Sequence, residues 1–166
     1  MAVTSSFPTA VSTNLIGANN WFADDGNQNT SLYNSLKGDI TLSSFSSLSI
    51  PAGSTIDGIR IDVEGAGNLP SAGQPSMKVY NGGWSSNKTF EDQFTKAGGT
   101  FSPGWGADDD LWGLSWDSTK AQDIQIQFDG STMTSGGVFL DWVKVYVTYT
   151  APTVETLKSL TINSLL

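Results

Sequence analysis

Two oxygen-rich loops of this chain contain the residue types that can hold a metal ion. Residues 108–110 are consecutive aspartates followed by Asp117, and residues 24–25 are aspartates beside Asn27 and Asn29. Carboxylate and amide oxygens are ligands that Ca²⁺ prefers. Consecutive aspartates point in different directions, however, and neither loop has the spaced ligands and terminal bidentate Glu of an EF-hand. We therefore interpret both loops as solvated turns, with a calcium site as the alternative.

A further carboxylate, Asp141, stands inside an apolar segment, where a charged side chain needs polar partners. We predict that loop amides donate hydrogen bonds to it. A catalytic pair would require a second carboxylate opposite Asp141, and spacing alone does not place Asp110 or Asp117 there. The chain has no Cys and no His, which excludes thiolate sites and imidazole bases. We expect a protein that is not an enzyme, with no catalytic residue and no cofactor.

Tryptophan is frequent, with 6 in 166 residues, and four of these lie in or beside glycine-rich loops. Trp84 and Trp105 are candidates for stacking on sugar rings or for packing at a subunit contact, and both uses require exposure. The alternative is that such rings cap the open ends of a sandwich and direct their N–H groups to loop carbonyls. We favour capping for Trp112 and Trp116, and both alternatives stay open for the other two.

The charge distribution argues against polyanionic partners. The formal net charge is -8, and the 8 basic side chains are scattered singly along the sequence. Without a basic stripe, electrostatics oppose approach to a phosphate backbone or an anionic membrane, so we expect no nucleic-acid and no membrane partner. The first residues lack the basic and apolar regions of a secretory signal, and no apolar run reaches membrane-spanning length. The sequence therefore predicts synthesis in the cytoplasm.

The elements that must position these side chains have a period of two residues. In residues 50–64, Pro51 and Gly53 predict a turn, and apolar residues then alternate with polar ones as in a half-buried strand. Residues 77–80 and 124–128 follow the same pattern. No helical apolar stripe occurs outside the C-terminal tail. These runs predict an all-β fold, an antiparallel β-sandwich of jelly-roll type.

Two further segments refine this prediction. Residues 138–149 are apolar on both faces, which is typical of a central strand. In residues 40–50, Phe45 falls on the opposite parity from the other apolar side chains, and one β-bulge or a strand switch would reconcile them.

The ends of the chain differ in composition from its middle. We predict an N-terminal arm at residues 1–20, a sandwich domain at residues 21–150 and a C-terminal arm at residues 151–166. Both ends are rich in Ser and Thr with isolated apolar side chains. The predicted partner contacts are Phe7, Val11, Leu15, Leu157, Leu160 and Ile162. The alternative is that either end packs back on its own sandwich.

Four segments carry a family resemblance. Residues 50–59 follow the pattern Ile-Pro-x-Gly-x-Thr-Ile-x-Gly-Ile, and residues 110–113 with Trp116 follow Asp-Leu-Trp-Gly…Trp. Residues 21–33 provide a Trp, an Asp-Asp-Gly loop and a short strand, and residues 138–149 a long strand with an internal aspartate. Together they resemble β-sandwich virion proteins of tailed bacteriophages.

The resemblance spans residues 21–149 and is loosest over residues 69–101. It implies a non-enzymatic capsid decoration or cement protein on the capsid surface of the virion. Such a protein would bind the major capsid protein through its terminal arms, as a homo-oligomer such as a trimer. The alternative is a tail or fibre module that recognises host-surface glycans through Trp84 and Trp105. The fold does not choose between these functions.

Overall fold

A computed structural model of the chain describes residues 1–13, 30–33, 39–68, 76–89, 99–101, 104–130 and 137–153. Within these ranges the regular elements are strands, except for one short helix. In chain order they are β1 (Ala2–Ser6), β2 (Ala10–Thr13), β3 (Thr30–Tyr33), β4 (Asp39–Ser43), β5 (Thr55–Asn68), β6 (Ser76–Tyr80), β7 (Lys88–Thr89), β8 (Gly99–Phe101), β9 (Gly104–Ala107), α1 (Ser118–Gln122), β10 (Gln125–Asp129) and β11 (Gly137–Thr150).

The described strands form two sheets. The first has the order β1-β11-β5-β8, with β3 also paired to β11 and β9 to β5. The second has the order β2-β4-β10-β6-β7. The strand pairings between these elements are antiparallel. The predicted all-β antiparallel sandwich is confirmed, whereas the jelly-roll type stays a prediction.

The turn and strand predicted from residues 50–64 are present. Gly53 has φ of 80°, and the Ser54 amide donates to the Pro51 carbonyl at 3.1 Å, as in a turn that needs glycine at its third position. β5 follows directly, with apolar side chains fully buried at alternate positions. Its polar side chains at residues 60, 62 and 64 are half-buried on the other face.

Apolar side chains from both sheets form one core. The cluster includes Ile59 and Ile61 of β5, Ile126 and Phe128 of β10, and Val145 of β11, all fully buried. Each such side chain stabilises the fold by roughly 1.5–3 kcal/mol. At the described strands, these side chains fill the space between the two sheets.

The strand β11 is central, as predicted. β5 pairs along one edge, and β1 and β3 pair with different parts of the other edge. The register shifts at Asp141, which has no Cα partner on β5, as at a β-bulge. Beyond the bulge, odd-numbered valines face the core, and the even-numbered Trp142, Lys144 and Tyr146 are half-buried on the outer face.

The N-terminal residues belong to the sandwich. β1 pairs with β11 from Ala2 opposite Tyr149 to Ser6 opposite Val145, and β2 pairs with β4 of the second sheet. The segment therefore satisfies backbone hydrogen bonds in both sheets, which corrects the predicted arm over residues 1–13. The segment instead packs on its own sandwich, which was the alternative for this end of the chain. Residues 14–20, and residues 154–166 of the predicted C-terminal arm, lie outside the described residues.

The segment after β4 also differs from the prediction. β4 ends at Ser43, and Ser44 has φ of 59°. The Leu48 amide then donates to the Phe45 carbonyl at 3.1 Å, and both side chains are buried. A turn, rather than a bulge or a strand switch, therefore brings Phe45 into the core.

Candidate functional site

The loop of residues 107–112 is braced by Asp110. Its Oδ1 accepts a hydrogen bond from the Trp112 amide at 2.7 Å, and its Oδ2 accepts one from Lys88 Nζ. Its carbonyl accepts from the Ile59 amide at 2.9 Å. Burial alone would raise the pKa of Asp110, but the hydrogen bonds from Lys88 and Trp112 and the charge of Lys88 outweigh it and lower the pKa. The carboxylate is therefore ionised at neutral pH and links the loop to Lys88 of β7, while the backbone carbonyl holds the loop on β5.

Trp112 also attaches the loop to β5. Its φ is 58°, its ring is buried, and its Nε1 donates to the Ile59 carbonyl at 2.9 Å. A Cβ added at Gly58 would lie 2.1 Å from the Asp108 carbonyl carbon, so this close approach of backbones requires glycine. The two segments that carry the clearest family patterns, residues 50–59 and 110–113, thus pack directly on each other.

The aspartates near this loop have separate partners. Asp108 lies 3.7 Å from Arg60, Asp110 holds the loop, and Asp117 caps α1 by accepting from the Lys120 amide at 2.8 Å. Among the described residues, no group of three or more Asp, Glu, His or Cys is placed to hold a metal ion. The other acidic loop, residues 24–29, lies outside the described residues.

The helix α1 was not predicted, although its Asp117 cap is a readable signal. Helices within the described ranges are too short to cross a membrane.

Asp141 is 3% exposed at the bulge of β11. The bulge is a local irregularity that the alternation of residues 138–149 does not reveal. The predicted amide hydrogen bonds to this carboxylate stay a prediction.

Three tryptophans are structural. Trp112 is buried, and the half-buried Trp116 donates its Nε1–H to the Leu111 carbonyl at 2.9 Å, in agreement with the predicted capping role. Trp105 lies on β9 opposite Ile61 of β5 and is 8% exposed. Its Nε1 donates to the Thr89 carbonyl at 3.3 Å. The prediction that Trp105 contacts a glycan is corrected, because a ring buried against its own sheet cannot stack on an external sugar.

Trp84 is different, because it is 40% exposed. Among the aromatic residues whose burial the structure describes, it is the only exposed one. Its backbone bridges to Tyr80 at the end of β6, and the two rings lie 5.1 Å apart at 56°. Lys78 Nζ lies 5.0 Å from the centre of the Trp84 ring. This arrangement presents an aromatic surface on the outer side of the second sheet.

An open cleft of about 240 Å³ adjoins this aromatic pair. We call it the Tyr80 cleft; its lining side chains include Tyr80, Asn81, Thr119, Lys120, Asp123 and Gln125. Tyr80 and Gln125 are cross-strand partners on β6 and β10, so their side chains lie on the same face of the sheet. Sequence reasoning missed the cleft, because the pairing of β6 with β10 and the position of α1 bring together residues that are distant in the chain.

The outer face of the first sheet carries a row of rings and charges, which we call the outer-face row. Its members are Phe7, Arg60, Glu64, Trp142, Lys144 and Tyr146. Trp142 donates its Nε1–H to Glu64 at 2.7 Å and meets the Phe7 ring edge-on, with centroids 6.1 Å apart. Lys144 lies 5.1 Å from the Phe7 ring, and Arg60 lies 4.4 Å above the Tyr146 ring. Side chains of the outer-face row thus contact one another across neighbouring strands.

The residues predicted to contact a partner fall into two groups. Phe7 and Val11 are partly buried against their own sandwich. The others lie outside the described residues: Leu15, Leu157, Leu160 and Ile162.

Comparison with known proteins adds no family assignment. No protein-family model matches the chain, and no curated protein matches it.

Proposed function

We propose that this protein is a non-enzymatic virion structural protein of a tailed bacteriophage, which binds the capsid shell as a decoration or cement protein. Its partners in this proposal are the major capsid protein and further copies of itself, arranged as a symmetric oligomer such as a trimer. In this proposal the free energy of binding stabilises the capsid, because a protein that binds only the assembled shell favours that shell by mass action.

The packing of the two motif segments is the observation that supports this proposal. Residues 50–59 and 110–113 carry the clearest resemblance to phage virion proteins. The Ile59 amide donates to the Asp110 carbonyl at 2.9 Å, and Trp112 Nε1 donates to the Ile59 carbonyl at the same distance. The two sequence patterns therefore have a shared structural reason. Residues 110–113 supply the carbonyl and the indole N–H that bond the Ile59 backbone, and Gly58 permits the close approach of the two segments.

The C-terminal segment is the proposed contact with the shell. β11 ends at Thr150, and residues 151–153 are exposed. The following residues include Leu157, Leu160 and Ile162. Burying each of these side chains on a partner is worth roughly 1.5–3 kcal/mol, and each 1.4 kcal/mol changes an affinity about tenfold. The N-terminal residues are less suited to this role, because β1 and β2 belong to the sheets.

Occupancy on capsids tests the proposal. Particles that lack the protein are incubated with the full chain, with a chain lacking residues 154–166, or with a chain in which Leu157, Leu160 and Ile162 are replaced by serine. We expect both altered chains to bind the particles with at least about tenfold lower affinity, read from occupancy over a range of chain concentrations, while circular dichroism and thermal unfolding stay unchanged. Undiminished occupancy of both would refute the contact. The substituted chain is the control for length, since it keeps the segment at its full length.

A second candidate function is glycan recognition by the same sandwich in a tail or fibre. The exposed ring of Trp84 beside the Tyr80 cleft favours it. Trp105 does not contribute, because it is buried.

A further inference from the structure

The Tyr80 cleft has walls that are held in place without a ligand. Asn81 Nδ2 donates to the Ser115 carbonyl at 2.8 Å, which ties the turn after β6 to the loop before α1. The backbone of Ser85 returns to β6, with its amide donating to the Val79 carbonyl at 2.8 Å and its Oγ accepting from the Val79 amide at 3.0 Å. A site that is ordered before binding loses less entropy when a ligand arrives.

The polar groups of the cleft are mixed in kind and balanced in charge. Gln125 offers amide donors and a carbonyl acceptor, Asn81 offers its carbonyl oxygen and the one amide N–H that does not bond Ser115, and the Tyr80 hydroxyl can both donate and accept. Lys120 adds one positive charge and Asp123 one negative charge. A phosphate or sulfate ligand would need an excess of cations, and the chain as a whole carries a net charge of -8. The lining therefore suits a neutral ligand with many hydroxyl groups.

The aromatic edge of the cleft supplies the apolar half of such a site. A pyranose ring has one face of C–H groups and a rim of hydroxyls, so it needs a flat apolar surface beside hydrogen-bonding groups. The exposed ring of Trp84 supplies that surface, with Lys78 Nζ 5.0 Å from its centre, and the Tyr80 ring, inclined to it at 56°, lines the cleft. The cleft volume of about 240 Å³ is below the roughly 300–1,000 Å³ of pockets that enclose drug-sized ligands. It fits one sugar unit at the end of, or within, a longer chain.

We propose that Trp84 and the Tyr80 cleft form a binding subsite for a neutral hexopyranose unit of a glycan. The sugar stacks its C–H face on Trp84, and its hydroxyls exchange hydrogen bonds with Asn81, Asp123 and Gln125. This inference rests on the second candidate function and specifies its site and its ligand class.

The test uses the full chain and an array of neutral and sialylated oligosaccharides. The neutral oligosaccharide that gives the strongest signal is then titrated by calorimetry against the wild type and variants. We expect Trp84→Ala to weaken binding at least tenfold and Gln125→Ala to weaken it about threefold or more. Trp142→Phe is the matched control, because Trp142 is a half-buried aromatic on the other sheet, and we expect its affinity to equal that of the wild type. Thermal unfolding of each variant checks that the fold is intact.

The outcomes separate the site from the function. Binding of a neutral sugar that both Trp84→Ala and Gln125→Ala weaken supports the subsite. Neutral-sugar binding that neither variant changes overturns the subsite but leaves glycan recognition standing. Binding of sialylated sugars alone overturns the subsite, and an array without any binding overturns both the subsite and the second candidate function. Capsid occupancy is measured separately, so its failure is distinguishable from each of these.

Discussion

Asp110 is the residue whose replacement tests the reasoning about the motif loop most directly. Its carboxylate receives hydrogen bonds from the Trp112 amide and from Lys88, while its backbone carbonyl receives one from Ile59. Asp110→Ala removes both side-chain bonds and leaves the backbone bond. Asp110→Asn keeps an acceptor for the Trp112 amide but removes the negative charge that faces Lys88. Asp109→Ala is the matched control, because Asp109 is the adjacent, exposed aspartate of the same loop.

The magnitudes follow from the contacts. A hydrogen bond to a charged group is worth about 1.5–3 kcal/mol, while a partly exposed ion pair is worth about 0.2–1 kcal/mol. The pair with Lys88 belongs to the weaker class, since the two side chains are 35% and 28% exposed. We therefore expect a loss of about 2–3 kcal/mol in the free energy of unfolding for Asp110→Ala, and of about 1 kcal/mol for Asp110→Asn. For a chain of this size, the larger loss lowers Tm by about 4–12 °C.

The pH dependence has a definite sign. The folded-state pKa of Asp110 is lowered from its ordinary value of 3.8, so its ionised form stabilises the fold. That contribution is fully present above the unfolded-state pKa and is lost as the pH falls through the folded-state pKa. The difference in unfolding free energy between the wild type and Asp110→Asn should therefore be constant from about pH 7 to pH 5 and shrink below about pH 4.

Urea unfolding followed by tryptophan fluorescence measures these differences, since Trp112 is buried in the folded state. Asp109→Ala should stay within about 0.5 kcal/mol of the wild type. The reasoning fails if Asp110→Ala is no more destabilising than Asp109→Ala at pH 7. It also fails if the difference between the wild type and Asp110→Asn grows as the pH falls.

Three further predictions concern other parts of the sandwich. Gly58→Ala should destabilise the fold by about 3 kcal/mol or more in thermal unfolding, because the added Cβ would lie 2.1 Å from the Asp108 backbone. Gly83→Ala is the control and should be near neutral, since a Cβ at Gly83 would have nothing within 4 Å. Phe7→Ala removes the ring packed on Trp142, so amide hydrogen exchange in β1 should accelerate about tenfold while β5 is unchanged. Asp39→Asn should stabilise the fold at pH 7, since burial and the facing Asp129 raise the pKa of Asp39. We expect this gain in unfolding free energy to be below about 1 kcal/mol, because Asp39 is exposed. The ionised form of Asp39 is disfavoured only above the ordinary pKa of the group, so the gain should vanish when urea unfolding is measured at pH 3.

The parts of the fold that could be predicted are those in which the sequence has a local period. β5, β6, β10 and β11 alternate buried and half-buried side chains, and their apolar residues identify the core directly. The turn before β5 was also predictable from local residues, because Pro51 fixes its own φ and Gly53 permits a positive φ.

Other elements depend on pairing with distant residues. β1 and β2 are short and rich in Ser and Thr, so their role follows from the partners β11 and β4 rather than from their own pattern. Trp84 and Trp105 both stand near glycines, yet Trp105 lies on a strand paired with β5 and Trp84 in a turn beyond β6. Composition near each residue is similar, so tertiary pairing alone decides which ring is exposed.

The two outer faces of the sandwich differ in what a ligand would have to displace. On the first sheet, the outer-face row already pairs its rings with its charges, and such cation–π contacts are worth about 0.5–2 kcal/mol each. A ligand binding there must break these contacts before it gains its own. At Trp84 the ring also has a cation–π contact, with Lys78 Nζ at 5.0 Å, and lies 5.1 Å from the Tyr80 ring, but it is 40% exposed and stands beside the hydroxyl, amide and charged groups of the Tyr80 cleft. A sugar at Trp84 can therefore use ring area that is already open, whereas the half-buried Trp142 offers less, which is why substitutions at Trp84 and Trp142 should separate binding from stability.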